Sequence, residues 1–156
     1  MPPPPFSLFL AREREVVYRV LVGLVGPDEA DDAFQETFLK ALRAYPDLRD
    51  AQNLRGWILT IARRTAIDAM RARTRRPAPI ADSDAIAADP APEPADPTLW
   101  SAVRALPPRQ RSAVTLRYLG DLSYAEAAGV IGCSEDAARR SAFEGIRRLR
   151  EVWDGR

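Results

Sequence analysis

Residues 77–97 read PAPIADSDAIAADPAPEPADP, and this run limits the folds open to the whole chain. It carries five acids and no base, and its large apolar side chains are Ile80 and Ile86 alone. Such a segment buries too little surface to offset the entropy of ordering it. It divides the 156 residues into 1–76 and 98–156, each with its own apolar residues. Val and Ile nowhere alternate with polar residues for long, so strands are not expected. Ala, Arg, Leu and Glu dominate, which favours helices. The expected fold is all-α: two small helical domains, 1–76 and 98–156, joined by a flexible acidic Pro/Ala-rich linker over 77–97.

The net charge of +1 hides a segregation. Residues 1–76 hold 13 basic and 10 acidic side chains, and residues 100–156 hold 10 and 7. Two mildly basic blocks are thus separated by an acidic one. One cysteine, Cys133, excludes an intrachain disulfide and points to a reducing compartment. There is no histidine, which removes the usual general base and the commonest metal ligand. No nucleophile pair, metal cluster or phosphate-cradling Gly loop appears, so no catalytic residue, metal or cofactor is expected. MPPPPF lacks the basic start of a signal peptide. The apolar run Val16–Gly26 is broken by Arg19 and is too short to span a membrane. The expected location is the cytoplasm.

In the first half, Pro2–Pro5 reads as a disordered or polyproline lead. Phe6, Phe9, Leu10, Val16, Val17, Val20, Leu21 and Leu24 have helical spacing, and Gly26-Pro27-Asp28 breaks the chain after them. A second helix, from about Asp28 to Tyr45, has an apolar stripe of Ala30, Ala33, Phe34, Thr37, Phe38, Ala41, Leu42 and Tyr45. Asp31, Asp32, Gln35, Glu36 and Leu39 fall on its other side. An acidic face with one exposed Leu suits docking of a basic partner protein. It is equally what a solvated, dipole-favoured acidic helix start looks like.

Residues 46–52 form a turn-rich loop, and Asn53 is placed to cap the helix that follows. In Asn53–Arg76, Leu54, Trp57, Ile58, Ile61, Ala62, Thr65, Ala69 and Ala72 recur at helical steps, and Pro77 ends the run. The latter part carries Arg63, Arg64, Arg71, Arg73, Arg75 and Arg76 against one acid, Asp68. A helix that packs at one end and bristles with Arg at the other suits a polyanion such as nucleic acid. Arginines favoured by the helix's negative pole would look the same.

The second half opens with a short helix holding Leu99, Trp100, Val103 and Leu106, interrupted at Pro107-Pro108. Another helix, Arg109–Leu119, points Ala113, Leu116 and Leu119 inward, and Gly120-Asp121 turns the chain. Ser123 and Glu126 form a capping box. The helix they start ends at Gly132, and Ser134 caps a long final helix. A short helix, a Gly turn and a long basic helix outline a helix-turn-helix. The long helix would present Asp136, Arg139, Arg140, Phe143 and Arg147 outward. The bland alternative is any helical hairpin.

Three segments in order resemble the extracytoplasmic-function sigma factors of bacterial RNA polymerase: EADDAFQETFLKALR, LRGWILTIARRTAIDAMRARTRR, and ALPPRQRSAVTLRYLGDLSYAEAAGVIGCSEDAARRSAFEGIRRLR. The resemblance implies that Asp31, Asp32, Gln35, Glu36 and Leu39 dock on core polymerase. It implies that the loop before Asn53, with Asn53 and Trp57, captures a base flipped from the −10 element. Arg63, Arg64, Arg71 and Arg75 would hold the opened strand, and Asp136, Arg139, Arg140, Phe143 and Arg147 would meet the −35 element. It also implies promoter DNA and an anti-sigma factor as partners, and an acidic linker that threads the RNA exit path. Arg64 stands where the family often has Asn, and Ala127, Ala138 and Ala142 stand where larger aliphatics are usual. Glu144 and Gly145 are unusual in a reading helix. Two other readings remain: a sigma-like mimic that binds an anti-sigma protein without touching DNA, and a plain helix-turn-helix regulator.

Overall fold

The structure, a computed structural model, describes residues 2–75 and 97–154. Nearly all of the expected linker, with its five acids, lies outside the described residues, and so does the expectation that it is flexible. The described residues are helical throughout, with turns between the helices and no strand. They form α1 (Phe6–Val25), α2 (Pro27–Ala44), α3 (Leu54–Arg75), α4 (Pro97–Ala105), α5 (Pro108–Val114), α6 (Tyr124–Ile131) and α7 (Glu135–Asp154). A single 3-10 turn, Tyr45–Asp47, follows α2, and a π-turn, Thr115–Leu119, continues α5.

Local chemistry sets the boundaries. Gly26 has φ 87°, a conformation glycine adopts without penalty, and Pro27 stands in the first turn of α2, where its missing N–H costs nothing. Asn53 Oδ1 accepts from the Gly56 N–H at 3.1 Å and so caps α3. The Ser123 hydroxyl accepts from the Glu126 N–H at 3.1 Å, while Glu126 Oε1 accepts from the Ser123 N–H at 3.0 Å. This is the capping box the sequence predicts. Gly132 closes α6 in the left-handed region, and Ser134 Oγ caps α7 through the Ala137 N–H at 3.1 Å.

Helices α1, α2 and α3 pack together around Phe9, Val17, Leu21, Phe38 and Ile58, and α5, α6 and α7 pack around Ala113, Ala127, Ala138 and Ala142. The two units also pack on each other: α1 meets the π-turn and α4, and α3 meets α6. The buried apolar residues run on without a break, from Val17 and Leu21 through Leu59 to Leu116, Leu122 and Ala127. Burying a Leu-sized side chain stabilises by about 1.5–3 kcal/mol, so Leu59, Leu116 and Leu122 together make this junction a substantial one.

Small residues permit the close approach. A Cβ on Gly23 would sit 2.5 Å from Thr115 Cγ2, and one on Gly120 would lie 3.1 Å from Leu59 Cδ1. The Arg111 guanidinium ties the same junction. It donates to the Leu24 and Leu106 carbonyls at 3.4 and 3.1 Å and lies 2.9 Å from Met70 Sδ. Burial lowers the Arg111 pKa from its ordinary value, and Arg104 nearby lowers it further.

One expectation changes on contact with the structure, and one is narrowed to its polyproline alternative. Leu42, expected in the buried stripe of α2, is half exposed, on the same side as Leu39. The Pro lead is not free. Pro3 and Pro4 are half-buried, and Pro5 holds polyproline geometry at φ −55°, ψ 145° while its carbonyl accepts from the Leu8 and Phe9 N–H groups.

Candidate nucleic-acid interface

On α2, Asp31, Asp32, Gln35, Glu36 and Leu39 all lie exposed on one side, as their spacing predicts. Leu39 and Leu42 are each 50% exposed, so this acidic face carries two apolar anchors rather than one. Glu36 pairs with Lys40 at 3.8 Å along the helix. Burial raises the Tyr18 pKa, and the Asp31 carboxylate beside it adds to the rise. Asp32, Gln35, Leu39 and Leu42 have no such engagement among the described residues.

The connection into α3 is held by local hydrogen bonds. Asp50 Oδ1 accepts from the Gln52 N–H at 3.0 Å, and Asn53 sits at φ 56° with its side chain folded over Gly56. A Cβ on Gly56 would lie 2.7 Å from Asn53 Oδ1, so a larger residue at 56 would have to shift the capping side chain. Trp57 is half-buried, with its ring 5.8 Å from Phe9 and 6.1 Å from Tyr45. Thr60 Oγ1 donates to the Gly56 carbonyl at 2.7 Å. Gln52, Asn53, Gly56, Trp57 and Thr60 form one wall of a cleft of about 520 Å³. The facing wall is α6, through Ala125, Glu126, Gly129 and Val130. That volume accommodates an unstacked nucleobase.

The arginines of α3 fall into two groups. Arg64, Arg71 and Arg75 are exposed and make no ion pair among the described residues. Arg63 is half-buried, and its Nε donates to Ser112 Oγ on α5 at 3.1 Å. Burial lowers its pKa from the ordinary value; a charge interaction with Cys133 opposes that shift, and Arg109 and Arg64 add to it. Arg63 therefore serves the junction in this arrangement rather than an open surface. Two further arginines are structural. Arg55 pairs with Glu13 at 2.9 Å, tying α3 to α1, and Arg73 pairs with Glu29 at 2.7 Å, tying it to α2.

On α7 the five expected side chains all face solvent. Arg139 is held at 3.2 Å from Glu135 and 3.6 Å from Asp136, with its guanidinium 5.2 Å over the Tyr124 ring. Arg140 and Arg147 are exposed, and Phe143 is 63% exposed. The two unusual residues of this helix point elsewhere. Gly145 is buried against α5, where a Cβ would lie 2.7 Å from Val114 Cγ2. Glu144 Oε2 accepts from Gln110 Nε2 on α5 at 3.2 Å. Both fix the helix to its support and leave the outward face basic and aromatic. Ala138 and Ala142 are fully buried, so the thin core is a close one.

Periodicity missed several residues of this site. Gly56, Leu59 and Ala66 are buried on a second side of α3 because the second unit covers it. Tyr118 is 53% exposed and lines a second cleft, of about 360 Å³, with Phe143, Ile146, Arg147 and Arg150.

Sigma-70 region 2 matches the chain over residues 9–76, and Sigma-70, region 4 matches it over residues 98–149. The ECF RNA polymerase sigma-E factor of Salmonella typhimurium is 30% identical, across 97% of this chain and 85% of that protein. The ECF RNA polymerase sigma factor BldN of Streptomyces coelicolor is 34% identical, across 86% of this chain and 55% of that protein. Among solved structures, the sigma factor RpoE of Bartonella quintana, in complex with the anti-sigma factor NepR, superposes with a TM-score of 0.79. The identity there is 26%, and the match covers 96% of each chain. The chain belongs to the ECF sigma factors of RNA polymerase. Its fold is their pair of helical domains, and promoter-directed transcription initiation is their function. No described helix is long and apolar enough to cross a membrane.

Proposed function

We propose that this protein docks on core RNA polymerase through α2, opens the −10 element at the start of α3 and meets the −35 element with α7. It acts in the cytoplasm as an initiation factor with no catalytic chemistry of its own. The domain assignments are 1–76 for core and −10 binding, 77–97 for the linker and 98–156 for −35 binding. The observation that carries the reading is the pairing of two basic helical faces, on α3 and α7, with one acidic face studded by Leu39 and Leu42. Basic faces suit phosphates, and an acidic face with apolar anchors suits a basic protein surface. A plain helix-turn-helix regulator would leave the first face and the acidic one without a role.

The packed arrangement supports an anti-sigma partner as well. Here α6 stands across the cleft from Trp57, and Arg63 is engaged by Ser112. DNA at the start of α3 requires the second unit to move away. A protein that clasps both units would hold the factor off promoters, and the superposed RpoE is in complex with an anti-sigma factor, NepR.

Run-off transcription with core polymerase tests the reading. The parent directs starts at a matched promoter. Leu39→Asp removes an anchor at a buried contact and lowers core capture about 30-fold, the scale of an interface hot spot. Asp32→Arg acts in the same direction, and both variants stay helical. Core capture unchanged by both removes α2 from the docking surface, and no run-off product from any promoter removes the whole reading.

A further inference from the structure

The proline segment is bonded to the connection that precedes α3. The Tyr45 hydroxyl donates to the Pro4 carbonyl, while Pro5 is fixed to the first turn of α1. Tyr45 is buried and opens the 3-10 turn from which residues 48–53 lead to α3. Its ring meets Phe6 edge-on at 5.2 Å, Phe9 at 5.3 Å and Trp57 at 6.1 Å. Trp57 lies in the first turn of α3, so a single aromatic cluster grips the connection at both ends. Apolar contacts alone let stacked rings slide. A hydrogen bond to a backbone carbonyl is directional and fixes one ring position. Burial raises the Tyr45 pKa, so the hydroxyl stays protonated and able to donate.

We propose that Pro4 and Tyr45 form a strap that positions Trp57 and the connection 48–53 for the opened −10 strand. Tyr45 is a positioning residue that acts through Trp57. The inference rests on the reading of α3 given above. It adds a role for a segment to which neither the family match nor the docking and DNA faces gives one; the region 2 match begins at residue 9.

The test uses the full chain with core polymerase and permanganate reactivity of the opened −10 region. Tyr45→Phe keeps the ring and loses the bond, and removal of residues 2–4 takes away the acceptor but keeps the Pro5 cap. Each change lowers promoter opening about fivefold, the scale of one net hydrogen bond. Because both cut the same contact, the double variant loses no more than either alone. Core affinity stays at the parental value, which a merely destabilised fold would not allow. Additive losses, undiminished opening, or a matching fall in core affinity each overturn the strap. A parent that binds core yet opens no promoter overturns the α3 reading, and the strap with it.

Discussion

Helices α3 and α7 both carry exposed arginines, and the fold treats the two helices in opposite ways. The outward side of α7 is open along its length, from Asp136 to Arg147. The first half of α3 is covered on two sides: α1 and α2 take Ile58 and Ala62, and the second unit takes Leu59 and Arg63. Arg64 and the last turns, with Arg71 and Arg75, stand as exposed as α7. Arginine content therefore does not tell whether a helix is available to DNA; the number of helices packed against it does. In this arrangement the side chains proposed for the −35 element are all exposed, whereas of those proposed for the −10 element Trp57 and Arg63 are half-buried.

The sharpest way to break that contrast is to push the units apart. Gly23 allows α1 to touch Thr115, and Gly23→Leu overfills a buried contact at a cost of about 1–3 kcal/mol. The variant is expected to have a larger radius of gyration by small-angle scattering. It should bind a single-stranded −10 oligonucleotide more tightly than the parent does, with −35 duplex binding unchanged. If scattering and −10 binding both match the parent, α3 is not masked by the second unit.

Arginine substitutions sharpen the comparison within α3. Arg64 is exposed and stands where the family often has Asn, so Arg64→Ala is expected to change which −10 base is preferred, by about 1–3 kcal/mol for a lost specific contact. Arg71 lies two turns on, and Arg71→Ala should weaken all sequences alike and flatten the salt dependence by about one unit of slope. Opening assays over a randomised −10 library at two salt concentrations separate the two. Equal, sequence-blind effects would remove Arg64 from base reading.

The sequence made the helix boundaries readable because the signals there are local. Asn53, the Ser123–Glu126 box, Gly26-Pro27 and Gly132 act on backbone within four residues, and each does what its type predicts. The outward set of α7 is also legible, since a single stripe with Ala138 and Ala142 faces its neighbours. The second buried side of α3 was not. A helix between two layers has two apolar stripes, and Leu59 and Ala66 fall outside the stripe that periodicity finds first. The Arg63–Ser112 hydrogen bond is also invisible to local sequence, since its two residues are 49 apart. The roles of Glu144 and Gly145 likewise depend on α5, which local sequence cannot place.

Gly145 tests the support of α7 without touching its outward face. Gly145→Ala gains about 1 kcal/mol of helix propensity but brings a methyl onto Val114, and overpacking costs about 1–3 kcal/mol. The net expectation is a modest fall in melting temperature together with weaker −35 binding and unchanged core capture. A rise in melting temperature would show that α5 and α7 have slack at this crossing.

The smallest expected effect lies in α6, the wall that faces the start of α3. The Glu126 pKa is lowered from 4.5, first by the Ser123 backbone hydrogen bond, then by the Ser123 hydroxyl, with burial opposing and Arg55 helping slightly. A carboxyl whose folded pKa is depressed adds stability that is present above its unfolded pKa. That stability is lost as pH falls through the folded value. The window therefore lies below pH 4.5, and nothing from this group changes between pH 6 and 8. Glu126→Gln keeps an acceptor for the Ser123 N–H but has no proton to gain. The parent is expected to lose slightly more stability than the variant between pH 6 and 3.5, read as the difference in urea midpoint. Because Glu126 is exposed, water screens much of the effect, and the difference should be near the limit of measurement. If the variant loses as much as the parent, the charge of the capping box does not contribute to the acid response of α6.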